Sequence, residues 1–392
     1  MNTPQRRALG ALFFIYSFGL MSWVPRFPEI KKNLGVSLGE FGSLISFSAI
    51  GSMVSLLSVG LLVNRFGVRR LIIASAVILF GSIMIVVHLH NTWQFLMCNI
   101  AIGIGTSAMH TSINGQALHE QGDQGENLMP RLHGLWSLGA LTSAVVSGLL
   151  AGRVSLVAHV DLLCGVVFIV VLLLVHRLNE SLLPPNVSEE AAFSIKSIFT
   201  RFDLDWKMSV AFGFAIALEI ATGDWAAIFA KEQLHMSAGV SAIPYALFVF
   251  AMIIGRLTIH RLNEKWGLAF LIRRFVVTGG TTFLIAVIVG VEVSKHSPLL
   301  GFVITAVGSF VGGLGASFLA PTIMDSANKR SKSSGAVVVG QLGVVNTVFI
   351  FVFKTVIAWT AQITSVGFAL LIPSVMLIYV AFSAKTIEEA RN

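Results

Sequence analysis

The hydrophobic residues of this chain form twelve long apolar runs, and short polar segments separate them. We place these runs at residues 8–25, 41–63, 71–90, 94–118, 132–151, 155–177, 208–231, 239–260, 268–291, 298–320, 335–357 and 362–384. Each run is near the length of about 20 residues that a helix needs to cross the hydrocarbon layer of a bilayer. The pattern predicts twelve membrane-spanning helices, with both chain ends on the same side.

The longest polar stretch, residues 179–207, divides the apolar runs into two sets of six. We predict an N-terminal bundle over residues 1–178, a linker over 179–207 and a C-terminal bundle over 208–392. Similar features recur about 200 residues apart, and we align Trp23 with Trp225, Ser37 with Ser237, Gly60 with Gly255 and Arg65 with His260–Arg261. The recurrence predicts an all-α integral membrane protein of two six-helix bundles, an architecture that places a binding site between its repeats.

Composition supports a lipid environment. Hydrophobic residues make up 55% of the 392 positions and charged residues only 12%, whereas a soluble domain carries about 25% charged residues. The net charge of +8 is spread over short connections between apolar runs, so we expect the bilayer as a partner and no nucleic acid. Both cysteines, Cys98 and Cys164, lie in apolar runs, which gives no sign of a disulfide framework.

The positive charges also predict an orientation. Of the 27 lysines and arginines, 20 fall on the side of the chain ends, six on the opposite side, and Lys354 inside a run. Cytoplasmic connections of membrane proteins are enriched in lysine and arginine. We therefore expect both termini in the cytoplasm.

A conspicuous motif joins the second and third runs, where Gly60-Leu-Leu-Val-Asn-Arg-Phe-Gly-Val-Arg-Arg70 places three arginines beside two glycines. The segment resembles the loop G-x-x-x-D-R-x-G-R-R of the major facilitator superfamily, with asparagine at the acidic position and Val68 displacing the first arginine after the second glycine. We expect Gly60 to allow a close helix approach. The resemblance implies a conformational latch made by Gly60, Asn64, Arg65, Gly67, Arg69 and Arg70.

The seventh run contains two acidic residues, Glu219 and Asp224, followed by Trp225. Glu219 lies about 17 Å from Met208 along a helix that rises 1.5 Å per residue, which is close to the middle of the bilayer. The order of residues is similar to the seventh helix of transporters in the fucose-permease-like branch of the superfamily. We expect Glu219 to bind a proton and the substrate, Asp224 to take part in proton coupling near an outer gate, and Trp225 to contact the substrate. The alternative for both acids is a purely structural role.

The fourth and fifth runs also carry polar residues that are costly in lipid. His110 and Asn114 are four residues apart and share a helix face; with Gln116 they resemble the polar segment of the same branch. Trp136 is expected to stack on a flat ligand face. We predict all four as substrate contacts and His110 also as a proton carrier, with hydrogen bonding between helices or packing as the alternative. Glu120 is expected to reach the cytoplasmic surface.

The eleventh run adds Gln341 and Asn346, which are predicted to lie deep enough to contact a solute. Lys354 lies about one turn from the end of this run, where snorkelling explains it most simply; pairing with Asp224 is the alternative. Pro321 is expected to end the tenth run.

The resemblance implies a secondary transporter that works by alternating access. We expect proton symport of a small polar solute, such as a sugar or related metabolite, by a monomer without a cofactor. Alternatives are proton-driven efflux of drugs or metabolites and, from another class, a membrane sensor or intramembrane enzyme. The sequence has no P-loop, no H-E-x-x-H and no cysteine–histidine metal spacing, so ATP-driven pumping and metal-dependent hydrolysis have no support.

Overall fold

The structure is a computed structural model that describes residues 4–124, 128–178, 206–330 and 335–390, and these residues form helices and short connections without a strand. In the first half the α-helices are α1 (Pro4–Leu20), α2 (Phe27–Leu34), α3 (Leu38–Ser46), α4 (Ser48–Phe66), α5 (Val68–Val86), α6 (Thr92–Gln124), α7 (Met129–Leu150) and α8 (Leu156–Val175). The predicted linker lies outside the described residues up to residue 205.

In the second half the α-helices are α9 (Trp206–Ile228), α10 (Ile243–Trp266), α11 (Leu268–Ser294), α12 (Pro298–Ala316), α13 (Leu319–Arg330), α14 (Gly335–Ile363), α15 (Val366–Ala369), α16 (Leu371–Tyr379) and α17 (Ala384–Glu389). A π-helical turn, Phe229–Gln233, extends α9. Short 3-10 turns lie at Val24–Arg26, Val240–Ala242 and Val380–Ser383.

Eleven segments in the described part of the chain are long and apolar enough to cross a membrane. The twelfth predicted span is α6, which has 33 residues and is therefore about 50 Å long at 1.5 Å per residue. Its polar residues, among them Asn99, His110 and Asn114, lower its hydropathy. α6 packs along both α4 and α5, so it is an integral part of its bundle. The predicted all-α membrane fold of two six-helix bundles is confirmed.

The helices begin and end where local chemistry favours it. Ser37 accepts a hydrogen bond from the Glu40 amide, while the Glu40 carboxylate accepts one from the Ser37 amide. This reciprocal capping box satisfies amide groups that the start of α3 would otherwise leave without partners. Gly67 then separates α4 from α5 with a φ of +81°, a conformation that costs glycine little.

The two halves repeat with an offset of 200 residues. Gly67 and Gly267 have nearly the same backbone conformation, with φ, ψ of 81°, 157° and 75°, 153°. Gly35 and His235 are both left-handed, at φ of 65° and 57°. The alignment of Ser37 with Ser237 agrees with this offset. The alignment of Gly60 with Gly255 and of Arg65 with His260–Arg261 is wrong, because it matches residues one helical turn out of register.

The positions of these turns define the two ends of the molecule. We call them the Gly35 end, where Gly35 and His235 lie, and the Gly67 end, where Gly67 and Gly267 lie. At the Gly35 end, polar contacts between the bundles include Lys31 Nζ to Glu232 Oε1 at 2.9 Å, Gly39 N to Gln362 Oε1 at 3.3 Å, and Trp359 Nε1 to Ser43 Oγ at 3.1 Å. The bundles are therefore closed against each other at this end.

Two boundary predictions are wrong. Glu120 is buried and its carboxylate lies 3.9 Å from Arg6 Nε, because α1 covers this part of α6. Pro321 does not end the tenth span, since α13 runs from Leu319 to Arg330. Proline is tolerated in the first turn of a helix, where its missing amide proton is not needed.

Candidate functional site

An ion pair joins the middle of α9 to α10. Glu219 lies 13 residues after the first residue of α9, about 20 Å along a helix that rises 1.5 Å per residue. Its Oε2 is 3.8 Å from Arg256 Nη2, and the two side chains are 33% and 27% exposed. Both charges therefore lie deep between the helices yet remain partly accessible to solvent.

Hydrogen bonds hold the Arg256 guanidinium on two further sides. Its Nε donates to the Ser317 carbonyl oxygen at 2.9 Å, and its Nη1 donates to Ser137 Oγ at 2.9 Å. Ser137 belongs to α7 of the first bundle, whereas Arg256 and Ser317 belong to the second. Arg256 thus connects the two bundles at the same depth as Glu219.

Sequence reasoning missed Arg256, which it counted with the positive charges of the loops. The residue lies inside the predicted span 239–260, and a cation within a span is costly unless it has a partner. The position of Arg256 inside a span was therefore the signal by which the sequence could have identified it. Its partner Ser137 is 119 residues away in the chain, and no spacing rule connects the two.

Two histidines continue the polar surface into the first bundle. The hydroxyl of Ser137 donates to the His133 carbonyl oxygen at 3.0 Å, and the ring of His133 lies 6.4 Å from that of His110 on α6. His110 is exposed although Met109 beside it is buried, and its ring lies beside that of His133 on α7. His133 was not predicted, and its place on α7, one turn before Ser137, identifies it as part of the site.

The other predicted substrate contacts differ in accessibility. Asn114 is half-buried and its amide donates to the His110 carbonyl oxygen at 2.8 Å. Trp136 and Asn346 are also half-buried, and within the described residues Trp136 Nε1 and Asn346 Oδ1 have no hydrogen-bond partner. Both atoms are buried in this structure, so neither contacts a solute in this conformation. The roles of Asn114, Trp136 and Asn346 as solute contacts stay predictions.

Three further predicted contacts are closed off in this structure: Gln116, Trp225 and Gln341 are 0%, 1% and 1% exposed. Trp225 packs at the junction of the bundles, where a Cβ on Gly42 would lie 2.8 Å from its ring. Gln116 has no partner for either amide atom in the part of the chain described. None of the three presents a surface to a solute in this conformation.

Asp224 and Lys354 form another ion pair in the second bundle. Lys354 Nζ lies 2.9 Å from Asp224 Oδ2, and the side chains are 16% and 13% exposed. The pair joins α14 to α9 five residues beyond Glu219. Lys354 thus has a buried partner, and snorkelling to the membrane surface is not needed to explain it.

The predicted latch residues contact their own bundle. The Arg65 guanidinium stacks over Phe66 at 5.3 Å, and Arg69 donates through Nε to the Leu178 carbonyl oxygen at 2.6 Å. Asn64 and Arg70 are exposed. A Cβ at Gly60 would meet no atom within 4 Å, so the expectation that Gly60 allows a close helix approach is wrong.

A family model described as the Major Facilitator Superfamily matches residues 9–353. The chain belongs to the major facilitator superfamily. An uncharacterized MFS-type transporter of Yersinia pestis is 26% identical over 382 residues, 96% of this chain and 94% of that protein. The membrane protein MosC of Rhizobium meliloti is 24% identical and covers 86% of this chain and 79% of its own length.

Solved structures of the superfamily have the same fold. The nucleoside transporter NupG superposes with a TM-score of 0.74 at 15% identity and covers 99% of each chain. An inward-facing bacterial homolog of the lysosomal transporter Spinster superposes with a TM-score of 0.69 at 13% identity, over 100% of this chain and 98% of the other. This superfamily member is therefore a membrane transporter and not an enzyme.

Proposed function

We propose that this superfamily member carries a small polar solute together with protons, as a monomer in a bacterial inner membrane with both termini in the cytoplasm. The observation that carries the proposal is the cluster of Glu219, Arg256 and Ser137, which joins polar groups of both bundles near mid-membrane. A site shared by two bundles changes its access when the bundles rock against each other. The bundles correspond to residues 1–178 and 208–392, joined by the linker 179–207.

Glu219 is the proton-binding group of this proposal. Ionisable residues inside a membrane span are costly and mark proton or solute paths. Glu219 is partly accessible and its only described cation partner, Arg256, is 3.8 Å away, so the carboxylate can exchange its partner for a proton. His110, whose ring lies beside that of His133, is the proton carrier on the first bundle, and Asp224 with Lys354 forms the gate toward the Gly35 end.

The closure of the bundles at the Gly35 end supports a cycle in which access to the site alternates between the two ends. The bundles are closed at the Gly35 end by Lys31–Glu232 and its neighbours, and we assign that end to the outside. The structure then represents a state closed to the outside. In the opposite state the latch residues around Arg65 close the Gly67 end.

Proteoliposomes test the proposal. A thermal-shift screen of sugars, amino sugars, nucleosides and small acids first selects a solute, because a ligand that binds the folded state raises its stability. A pH gradient should then drive uptake of that solute and acidify the lumen. Glu219→Gln should abolish gradient-driven uptake and spare exchange of solute across the membrane. Full coupled uptake by Glu219→Gln would remove Glu219 from the mechanism.

A further inference from the structure

We propose that the solute is an organic anion with a carboxylate group, and that Arg256 binds this carboxylate in competition with Glu219. The inference rests on the proposed transport function and names its substrate class.

Hydrogen bonds orient the guanidinium of Arg256, but its Nη2 group makes no hydrogen bond to Glu219. Its Nε and Nη1 are fixed by Ser317 and Ser137 at 2.9 Å each, while Nη2 is 3.8 Å from the Glu219 carboxylate. This separation is too long for a hydrogen bond. Arginine binds a carboxylate most strongly through two parallel N–H···O bonds, and Glu219 does not supply them here. The site therefore holds a pre-oriented cation with a weak resident partner.

The partial exposure of the ion pair allows a solute carboxylate to replace Glu219 as the partner of Arg256. Arg256 and Glu219 are 27% and 33% exposed, and Ser137 beside them is buried. A carboxylate that reaches the pair therefore meets a guanidinium that is already partly exposed. The buried hydroxyl of Ser137 keeps Arg256 in place while the partner changes.

Charge balance links the anion to a proton. While Glu219 is ionised, it neutralises Arg256, and a bound carboxylate would add an unmatched negative charge in a region where such charges are costly. Once Glu219 takes up a proton, Arg256 is left without a counter-charge and binds the carboxylate. Anion and proton each favour the binding of the other, and this coupling is reciprocal. Affinity for the anion should therefore rise as the pH falls.

The groups around Glu219 agree with this assignment. Among the described residues, Tyr245 interacts with Glu219 and with Asp224, and His133 interacts with Arg256 and with His110. Asp224 is matched by Lys354 at 2.9 Å, whereas Glu219 has only the long contact to Arg256, so Arg256 is the cation that can exchange its partner for a carboxylate.

A neutral solute has no such effect. A sugar or nucleoside forms hydrogen bonds with groups such as Asn114, and it leaves the Glu219–Arg256 pair intact. Its binding would depend little on pH. A matched pair of solutes, one with a carboxylate and one without, therefore separates the two substrate classes.

Binding to purified protein tests the inference with matched pairs: D-gluconate with D-glucitol, D-glucuronate with D-glucose, and L-lactate with 1,2-propanediol, at constant sodium concentration. We expect thermal stabilisation by at least one carboxylate member, with at least tenfold weaker binding of its neutral partner and tighter binding at pH 6 than at pH 8.

Arg256→Gln should lose the preference for the carboxylate member, and Arg256→Lys should keep it at reduced affinity. Arg273→Gln, at an exposed arginine of α11, is the control and should bind like the wild type. If Arg256→Gln fails to fold because Glu219 is left without its cation, Arg256→Gln/Glu219→Gln provides the neutral pair, and it too should lose the preference.

Several results overturn the inference: no carboxylate preference in any pair, tighter binding of a neutral member, or a preference that survives both arginine-to-glutamine variants. Its failure is distinct from failure of the proposed function. Proton-driven uptake of a neutral solute that Glu219→Gln abolishes would leave symport standing and remove the anion site. Carboxylate binding through Arg256 without any effect of a pH gradient on uptake would keep the anion site and remove proton coupling.

Discussion

Lys354 Nζ lies 2.9 Å from Asp224 Oδ2 and ties α14 to α9 between the central site and the Gly35 end. Both side chains are largely buried. Within a membrane-spanning bundle this pairing matches an acid and a base that would each be costly alone. Five residues away, Glu219 has only a long contact to Arg256. The two acids of α9 thus differ in partner distance: Asp224 is held firmly and Glu219 is held loosely.

The first prediction concerns the charges of this pair. Asp224→Lys and Lys354→Asp should each reduce uptake at least tenfold and lower thermal stability, because removing one partner of a buried ion pair costs about 3–5 kcal/mol. The double exchange Asp224→Lys/Lys354→Asp should restore stability and part of the uptake. Thermal unfolding in detergent and flux in proteoliposomes measure the two effects.

Lys295→Asp is the matched control, because Lys295 and Glu292 form an exposed pair, at 60% and 66% exposure. Exposed pairs contribute little to stability, so this variant should behave like the wild type. If the double exchange is no better than either single exchange, the pair has no role as a unit.

The second prediction tests closure at the Gly35 end. A Cβ added at Gly39 would lie 3.3 Å from Gln362 Cβ, close to the separation of about 3.5–4.5 Å in disulfides. Gly39→Cys/Gln362→Cys, with Cys98 and Cys164 replaced by alanine, should form a disulfide on oxidation. Because the bond joins α3 to α14 across the bundles, uptake should fall to background and return on reduction.

Each single cysteine variant in the same background is the control and should respond to neither oxidant nor reductant. A disulfide that forms fully while uptake continues would show that this end need not open. Alternating access through the Gly35 end would then be excluded.

Sequence patterns were sufficient for the fold. The apolar runs predicted the long helices of the described residues. A segment that crosses hydrocarbon must make its backbone hydrogen bonds within itself, and a helix does so. The half-chain repeat was also detectable, and Ser37 with Ser237 gave the right offset. Gly60 and Gly255 misled the alignment, since residue type alone does not show which of the glycines near the turn adopts the positive φ found at Gly67 and Gly267.

The site was predictable only in part. Glu219 and Asp224 stand out as acids in an apolar run, and their cost in lipid is a property of single residues. Their partners come from other helices: Arg256 from α10 and Lys354 from α14. Which cation meets which acid depends on how the helices pack, and no local pattern determines that. The burial of Trp225 between the bundles likewise depends on tertiary packing.

The third prediction concerns packing of α7 against α1. A Cβ at Gly139 would overlap the carbonyl oxygen of Phe14, whereas a Cβ at Gly165 on α8 would meet no atom within 4 Å. Gly139→Ala should therefore lower stability by about 1–3 kcal/mol, the range for overpacking. Gly165→Ala should be neutral or slightly stabilising, because alanine favours a helix by up to about 1 kcal/mol over glycine. Equal melting temperatures of the two variants would contradict the close approach.

The fourth prediction separates the arginines of the loop that joins α4 to α5. Arg69 donates to the Leu178 carbonyl oxygen at the end of α8, so Arg69→Ala should lower the melting temperature. Arg65 is exposed and stacks on its neighbour Phe66, so Arg65→Ala should leave stability unchanged. If Arg65 closes the Gly67 end in the opposite state, its loss shifts the equilibrium between the two states.

Uptake by Arg65→Ala should then fall several-fold while the affinity for solute changes less than twofold, since the change acts on the conformational step and not on the site. Arg70→Ala, at another exposed arginine of the same loop, controls for the loss of one positive charge and should reduce uptake less. Fluorescent labelling of a cysteine at the Gly67 end, with and without solute, reports the population of the closed state directly. A residue that stabilises one state must alter either the population of that state or the rate of leaving it. If Arg65→Ala changes neither the uptake rate nor the labelling rate, Arg65 contributes only to the positive surface around Gly67.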